Sequence, residues 1–340
     1  MRIFRGKGKV WRRACAAMVL CVGLAVVCGC RRKERTEHPL DFVPPGADVI
    51  AELDYSEFMK NEMFRRVFDD SELKRILREI GLSADSVVRV AGFAKIDPAF
   101  LRPSDRVNEG EQPGDFAIIV QGKEPLYPIL KVLSEHGWVR KKHGGKRYWV
   151  APEGPQPLAA ASLRGNMLVA GTRSGVRDVL DVAAGKSVPA IMPASGSDSG
   201  AIIRQMGTRG EVMVAISFTK EMKMAAGEVV RSAGIFGGMT GGIMVGGVLE
   251  ALGTGRGIGL SFGGKNGGIA SRVVFVARDA AAAKVIAGLL KIAKIAVPRM
   301  GELGGWEAAE MIRTLGVWSQ NNMVFIEFTI PESVFHGPAR

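Results

Sequence analysis

Residues 48–56 read DVIAELDYS, and residues 211–219, which lie 163 positions further on, read EVMVAISFT. Both stretches are rich in aliphatic and β-branched residues between polar ends, a composition that favours a β-strand. In each case the strand would be the first of a half of the chain. The two stretches therefore predict a fold built from two halves, each opening with the same strand.

A second shift, of 156 residues, lays two later stretches on one another. It places Ile118–Val120 on Val274–Val276, and Asn166–Val169 on Asn322–Phe325. One shift that serves two separate strands indicates that the order of elements is repeated. The sequence thus predicts an α+β fold with two pseudo-repeated halves, each a mixed or antiparallel sheet with helices packed on one face.

Hydrophobic spacing and turn residues divide the chain further. The predicted parts are a signal peptide at 1–29, a polar tether at 30–43, a first α+β repeat at 44–184, a linker at 185–209 and a second repeat at 210–336. Within the second repeat, residues 280–296 are predicted to form a helix capped by Asp279. Its inward side chains are predicted to be Val285, Ile286, Leu289, Ile292, Ala293 and Ala296.

The N-terminus has the features of an export signal. Six basic and no acidic residues precede Ala14, and an uncharged run follows from Ala14 to Cys30. This combination is typical of a secretory signal peptide. The run is 17 residues long, close to the shortest stretch that spans a bilayer core, so an uncleaved signal anchor is the alternative interpretation. Both interpretations place the folded part outside the cytoplasm.

The signal ends with Val27-Cys28-Gly29-Cys30, which resembles the bacterial lipobox. The resemblance implies cleavage between Gly29 and Cys30 and a lipid anchor, with acyl chains such as palmitate, on the Cys30 thiol. The membrane would then be a partner through Cys30, and the body would lie in the cell envelope, facing the periplasm or the exterior. Cys28 is an unusual residue for its lipobox position.

The composition narrows the classes of function. The remaining cysteines, Cys15, Cys21 and Cys28, all precede Cys30, so the mature chain has no disulfide and no thiolate metal site. Removal of six basic residues lowers the net charge from +12 to about +6, which is not typical of a nucleic-acid-binding protein. No cofactor, metal site or catalytic residue is predicted.

Residues 138–150, WVRKKHGGKRYWV, form the most distinctive surface motif. A Gly-Gly pair between two basic and aromatic runs predicts a hairpin. We consider it a candidate anion-binding hairpin formed by Arg140, Lys141, Lys142, Lys146 and Arg147. Its partner would be anionic lipid, an anionic glycan or an envelope protein; an ordinary solvated hairpin is the alternative.

The two halves resemble an uncharacterised family of bacterial envelope proteins, catalogued as a domain of unknown function. The similarity rests on Val43–Asp48 before the first strand, on Gly137-Trp138 after a helix, and on the strand-turn-strand segment Gly165–Gly171. It implies a fold and an envelope setting and supplies no catalytic residues.

The sequence favours a non-enzymatic envelope lipoprotein that binds or scaffolds something at the membrane surface. The alternatives are a periplasmic ligand-binding protein with a cleft between the repeats and a hydrolase. The ligand, the choice of inner or outer membrane, the oligomeric state and the role of the glycine-rich segment 234–259 stay open.

Overall fold

A computed structural model describes residues 37–62, 64, 86–97, 114–126, 128–152, 158–164, 166–207, 210–220, 222–224, 254–265, 268–296 and 313–331. The predicted signal peptide, with its cleavage site at Gly29 and Cys30, lies outside the described residues, as does most of the glycine-rich segment 234–259. No helix within these ranges is long and apolar enough to cross a membrane. The chain divides into two compact units between Ser197 and Asp198.

The first unit contains an antiparallel sheet with the strand order β1-β2-β3-β7-β6-β5-β4. Its strands are β1 Val49–Asp54, β2 Val87–Ile96, β3 Gly114–Gly122, β4 Val139–His143, β5 Lys146–Val150, β6 Leu158–Ser162 and β7 Met167–Thr172. Its helices are a 3₁₀ helix Pro39–Phe42, α1 Tyr55–Lys60, α2 Pro128–Glu135, α3 Arg173–Ala183 and a 3₁₀ helix Pro193–Ser195.

The second unit contains an antiparallel sheet with the strand order β8-β9-β10-β12-β11. Its strands are β8 Val212–Ser217, β9 Gly257–Lys265, β10 Gly268–Val276, β11 Gly316–Gln320 and β12 Met323–Pro331. Its helices are α4 Asp198–Met206 and α5 Ala280–Ala296. The α+β class and the bounds of the helix at 280–296 are as the sequence predicts.

The prediction that helices cover one face of each sheet is wrong for the first unit. Successive side chains of a strand point to opposite faces, and Ile119 and Val120 of β3 are both buried. The Val120 face packs against Ile129 and Leu133 of α2. The opposite face is covered by α3, whose Gly175 lies so close to β3 that an added Cβ would be 2.3 Å from the Phe116 carbonyl oxygen.

Helices also cover both faces in the second unit. The helix α5 packs on the face that carries Phe275 and Val324. The other face carries Gly257 and Gly259, and a Cβ at Gly259 would be 2.3 Å from the Ile202 side chain of α4. The alternating glycines of this stretch thus leave one face of β9 without side chains, so α4 can pack closely against that face.

Two smaller predictions also need correction. The predicted linker 185–209 contains the helix α4, which packs against β8 and β9. In α5, Val285 and Ile292 were predicted to point inward but are 62% and 57% exposed. Ala283, Ile286 and Ala287 form the buried stripe instead, because the sheet contacts a narrower face of the helix than the apolar residues could cover.

Candidate functional site

The basic motif forms the hairpin β4–β5 at one edge of the first sheet. Its turn is Gly144-Gly145, and both residues have positive φ angles, 56° and 80°. Two-residue hairpin turns of this kind need that backbone region, which glycine adopts without steric cost. The predicted hairpin is therefore present, and its outer strand β4 is an edge strand of this sheet.

The strand register divides the five predicted basic residues between two faces. Residues directly opposite one another share a face, and Lys142 lies opposite Arg147, with Arg140 two positions along the same face. Lys141 and Lys146 lie on the other face, where Lys141 is opposite the buried Tyr148. The five cations are thus close in sequence without forming one cluster.

The hairpin is held to α3 by His143. Its Nε2 lies 2.9 Å from Asp181 Oδ2, and Arg177 Nε donates to its Nδ1 at 3.1 Å. Because Nδ1 accepts a hydrogen bond, we assign the ring proton to Nε2, which then donates to Asp181. This contact fixes the position of the hairpin tip relative to the helix.

The opposite face of the hairpin is held to α2. Trp149 Nε1 donates to Ser134 Oγ at 2.7 Å, and the indole packs against the core that contains Leu133 and Leu168. A hairpin attached on both faces presents its charged side chains from a fixed backbone.

Three cations at the tip have no ion-pair partner among the described residues: Lys142, Lys146 and Arg147. We call them the tip cations. Like charges directly opposite in a sheet destabilise it by roughly 0.2–1 kcal/mol per pair, and Lys142 and Arg147 are such a pair. The tip cations therefore do not stabilise the hairpin through charge.

Residues 37–43, the second half of the predicted tether, are packed against the first unit. Glu37 forms an ion pair with Arg164, and its carbonyl oxygen lies 3.4 Å from Gln121 Nε2. His38 Nε2 lies 2.8 Å from the buried carboxylate of Glu52. Val43 is fully buried. The packed part begins earlier than predicted because Pro39, Leu40, Phe42 and Val43 supply enough apolar surface to bury.

The docked Glu37 and the hairpin tip lie at the same end of the first sheet. We call this the proximal end, where β3 ends at Gly122 and β6 ends at Ser162. Trp149 is opposite Ala160, and continuing this register places Lys146 level with Leu163. Arg164, which binds Glu37, is the next residue. The distal end is the opposite one, where β2 ends at Ile96 and β7 ends at Thr172.

Asp54 at the proximal end has an altered acidity. Partial burial alone would raise the pKa of its carboxyl, but the Glu57 amide, the Ser56 hydroxyl and Arg89 together hold that pKa below its ordinary value. Asp54 accepts from the Glu57 N–H at 3.1 Å and from Arg89 Nε at 3.0 Å. It thereby caps α1 and links it to β2.

Sequence reasoning identified the cations of the hairpin but missed Asp181 and Arg177, which hold it. These residues lie more than 30 positions away in an ordinary amphipathic helix, and no local motif marks them. Among the described residues, no group of three His, Cys, Asp or Glu side chains is placed to hold a metal ion.

No protein-family model matches the chain, and no curated protein matches it either. Solved structures that match include three crystal forms of TP0453, forms III, IV and I. Their sequence identities are 13%, 14% and 13%, and their TM-scores are 0.46, 0.45 and 0.43. The alignments cover 88%, 88% and 86% of this chain and 96%, 94% and 92% of those chains.

Proposed function

We propose that this protein is a non-enzymatic envelope lipoprotein, held to a membrane by acyl chains on Cys30, that positions a binding surface close to that membrane. The observation that carries the proposal is the short link between Cys30 and the folded body. Only residues 31–36 separate the lipobox cysteine from Glu37, which is docked on Arg164.

The length of this link limits how far the body can lie from the membrane. A fully extended chain spans at most about 3.6 Å per residue, so Glu37 lies within about 25 Å of Cys30. A freely jointed tether that continued to Val43 would allow almost twice that distance. Docking of the segment 37–43 therefore suits a protein that works at the membrane surface.

The body would be built from two repeats. The order β1-β2-β3-β7-β6 of the first unit has the same antiparallel pattern as β8-β9-β10-β12-β11 of the second. Each unit places a helix, α2 or α5, after its third strand. The hairpin β4–β5 has no counterpart among the described strands of the second unit, which marks it as the addition specific to the first.

One hydrogen-bond arrangement occurs in both units and supports the repeat. The Asn166 carbonyl accepts from the Gly122 N–H at 2.9 Å, and its side-chain amide donates to the Gly122 carbonyl at 2.7 Å. Asn322 makes the same two bonds with Ala277, at 2.8 and 3.4 Å. In each unit the bonds join the turn before one strand to the end of its neighbour.

The lipid anchor is tested by palmitate labelling and membrane fractionation of the full chain in bacteria. Cys30→Ala should abolish both acyl labelling and stable membrane attachment, because two or more acyl chains supply that attachment. Cys28→Ala is the matched control and should keep both. Membrane attachment of the unsubstituted chain without acyl label would instead identify an uncleaved signal anchor and overturn the lipoprotein proposal.

A further inference from the structure

We propose that the tip cations Lys142, Lys146 and Arg147 dock on anionic phospholipid head groups of the bilayer that holds the Cys30 acyl chains. The inference rests on the proposed lipoprotein function and adds its orientation: the first unit stands with its proximal end towards the membrane. The juxtaposition of the docked segment 37–43 with the hairpin tip carries it.

The proximal end keeps positive charge that the fold does not neutralise. Several cations there are neutralised within the fold: Arg164 by Glu37, Arg89 by Asp54, Lys60 by Glu57 and Lys186 by Asp181. The tip cations have no such partner among the described residues. After internal pairing, positive charge therefore remains at the hairpin tip.

The hairpin turn lies close to the point where the lipid anchor joins the first unit. Neighbouring strands are about 4.8 Å apart, so the hairpin turn lies about 10 Å from the turn that carries Arg164. Glu37 is bound to that arginine and lies at most about 25 Å of chain from the acylated cysteine. The lipid anchor thus keeps the tip close to the bilayer. This raises the effective concentration of lipid head groups around the tip cations.

The hairpin is held rigidly on the first unit. The contacts of His143 with Asp181 and of Trp149 with Ser134 hold the hairpin on both faces. A pre-organised surface loses little conformational entropy when it docks. Lysine and arginine near an anionic bilayer each strengthen attachment about fivefold at physiological ionic strength. Three such residues are enough to favour the docked orientation.

The position of the tip cations favours the bilayer over a soluble anion as their partner. An anionic glycan or an acidic protein could bind basic residues anywhere on the body. Here the tip cations lie at the end of the unit that the link keeps near the membrane.

The test uses full-length lipidated protein reconstituted into vesicles. The mature chain has no cysteine besides the acylated Cys30, so a single new thiol can carry a fluorophore. Ala184→Cys labels the exposed end of α3, which contacts the hairpin tip through Asp181, and Glu135→Cys labels the exposed C-terminal end of α2. Quenching by lipids that carry a spin label on the head group reports the distance from the surface.

In vesicles of phosphatidylcholine with phosphatidylglycerol, the Ala184 label should be quenched more strongly than the Glu135 label. The double variant Lys142→Gln/Arg147→Gln should shift the docked population about 25-fold towards the undocked state. Arg140→Gln/Lys141→Gln removes the same charge from the same strand pair, further from the tip, and should retain most of the quenching. Vesicles of phosphatidylcholine alone should remove the difference between the two labels.

Equal quenching of the two labels, or quenching that does not depend on phosphatidylglycerol, overturns the docking proposal. Equal losses in the two double variants also overturn it, because net charge would then explain the effect. Vesicle flotation distinguishes failure of the docking proposal from failure of the proposed lipoprotein function. A protein that floats with the vesicles but shows no oriented quenching has its anchor and lacks the docking surface, whereas an unacylated protein that does not float lacks the anchor.

Discussion

The distal end of the first sheet and the hairpin tip use polar residues in different ways. At the distal end, the Thr172 hydroxyl accepts from the Phe116 and Gly175 N–H groups, and Asp48 accepts from the Ile96 N–H. These side chains join a helix or a loop to the sheet. At the proximal end, the tip cations have no ion partner among the described residues, and two of them face one another.

This difference separates polar residues that stabilise the fold from polar residues that are available for binding at the surface. A buried hydroxyl or a capping carboxylate contributes stability because it satisfies backbone groups that would otherwise lack partners. An exposed cation beside another cation contributes none. Substitutions at the distal end should therefore change the free energy of unfolding, whereas substitutions at the tip should change membrane docking.

The largest effect is expected for Gly175→Ala at the distal end. The new Cβ would lie 2.3 Å from the Phe116 carbonyl oxygen, and this atom belongs to a strand that cannot move freely. We expect a loss of about 1–3 kcal/mol in the free energy of unfolding, measured by urea denaturation. Gly288→Ala in α5 is the control, since nothing lies within 4 Å of its Cβ, and it should be neutral or stabilising. Equal stabilities of the two variants would contradict the close contact.

Thr172→Ala should have the next largest effect. Thr172 is the N-cap of α3, and its hydroxyl lies 3.1 Å from the Gly175 amide in a buried position. Loss of this cap should lower the free energy of unfolding by about 1 kcal/mol, again measured with urea. Thr172→Ser keeps the hydroxyl and should retain most of the stability. If serine is as destabilising as alanine, packing of the methyl group and not the cap is responsible.

At the proximal end, Asp54 should make stability depend on pH. Its pKa is lowered in the folded state, so its contribution is complete above the ordinary carboxyl pKa of about 4. This contribution is lost as the pH falls through the lower folded-state value. The stability of Asp54→Asn should consequently fall less steeply below about pH 5, as measured by urea titrations at a series of pH values. Parallel curves for both proteins would show that Asp54 has its ordinary acidity.

The strands and helices could be predicted from the sequence better than the contacts of the proximal end. Periodicity and composition identify β1, β3, β7 and α5 because their signals are local. The docking of Glu37 on Arg164 joins residues 127 positions apart, and charged residues after a signal peptide look like any solvated tether. The hairpin could be predicted because a Gly-Gly turn is a local signal in the sequence. The docking of residues 37–43 could not, because no local signal marks it.

The division of the basic motif between two faces could have been predicted from strand alternation once the turn was placed at Gly144-Gly145. The attachment of His143 to Asp181 could not, since it depends on how α3 crosses the sheet. Similarly, the apolar pattern of α5 identifies a helix but does not say which of its apolar residues face the sheet. Val285 and Ile286 are adjacent β-branched hydrophobic residues, and packing decides which of them is buried.

The smallest change in stability is expected for Lys142→Gln/Arg147→Gln. Because these two cations lie directly opposite one another, their removal should raise the free energy of unfolding by a few tenths of a kcal/mol, measured by urea denaturation of the full chain. Arg140→Gln/Lys141→Gln should change stability less, since those residues face Trp149 and Tyr148.

The same pair of variants separates docking from a second role of charge in this hairpin. Charged residues on an edge strand also prevent pairing with other chains, and β4 is an edge strand of its sheet. If the cations of β4 act only in this way, both double variants should aggregate to a similar degree, as measured by light scattering. A variant lacking Lys142 and Arg147 that is stable and monodisperse, yet no longer docks on anionic vesicles, would assign the tip to the membrane. The small destabilisation caused by two facing cations would then be the cost of a surface whose partner lies outside the chain.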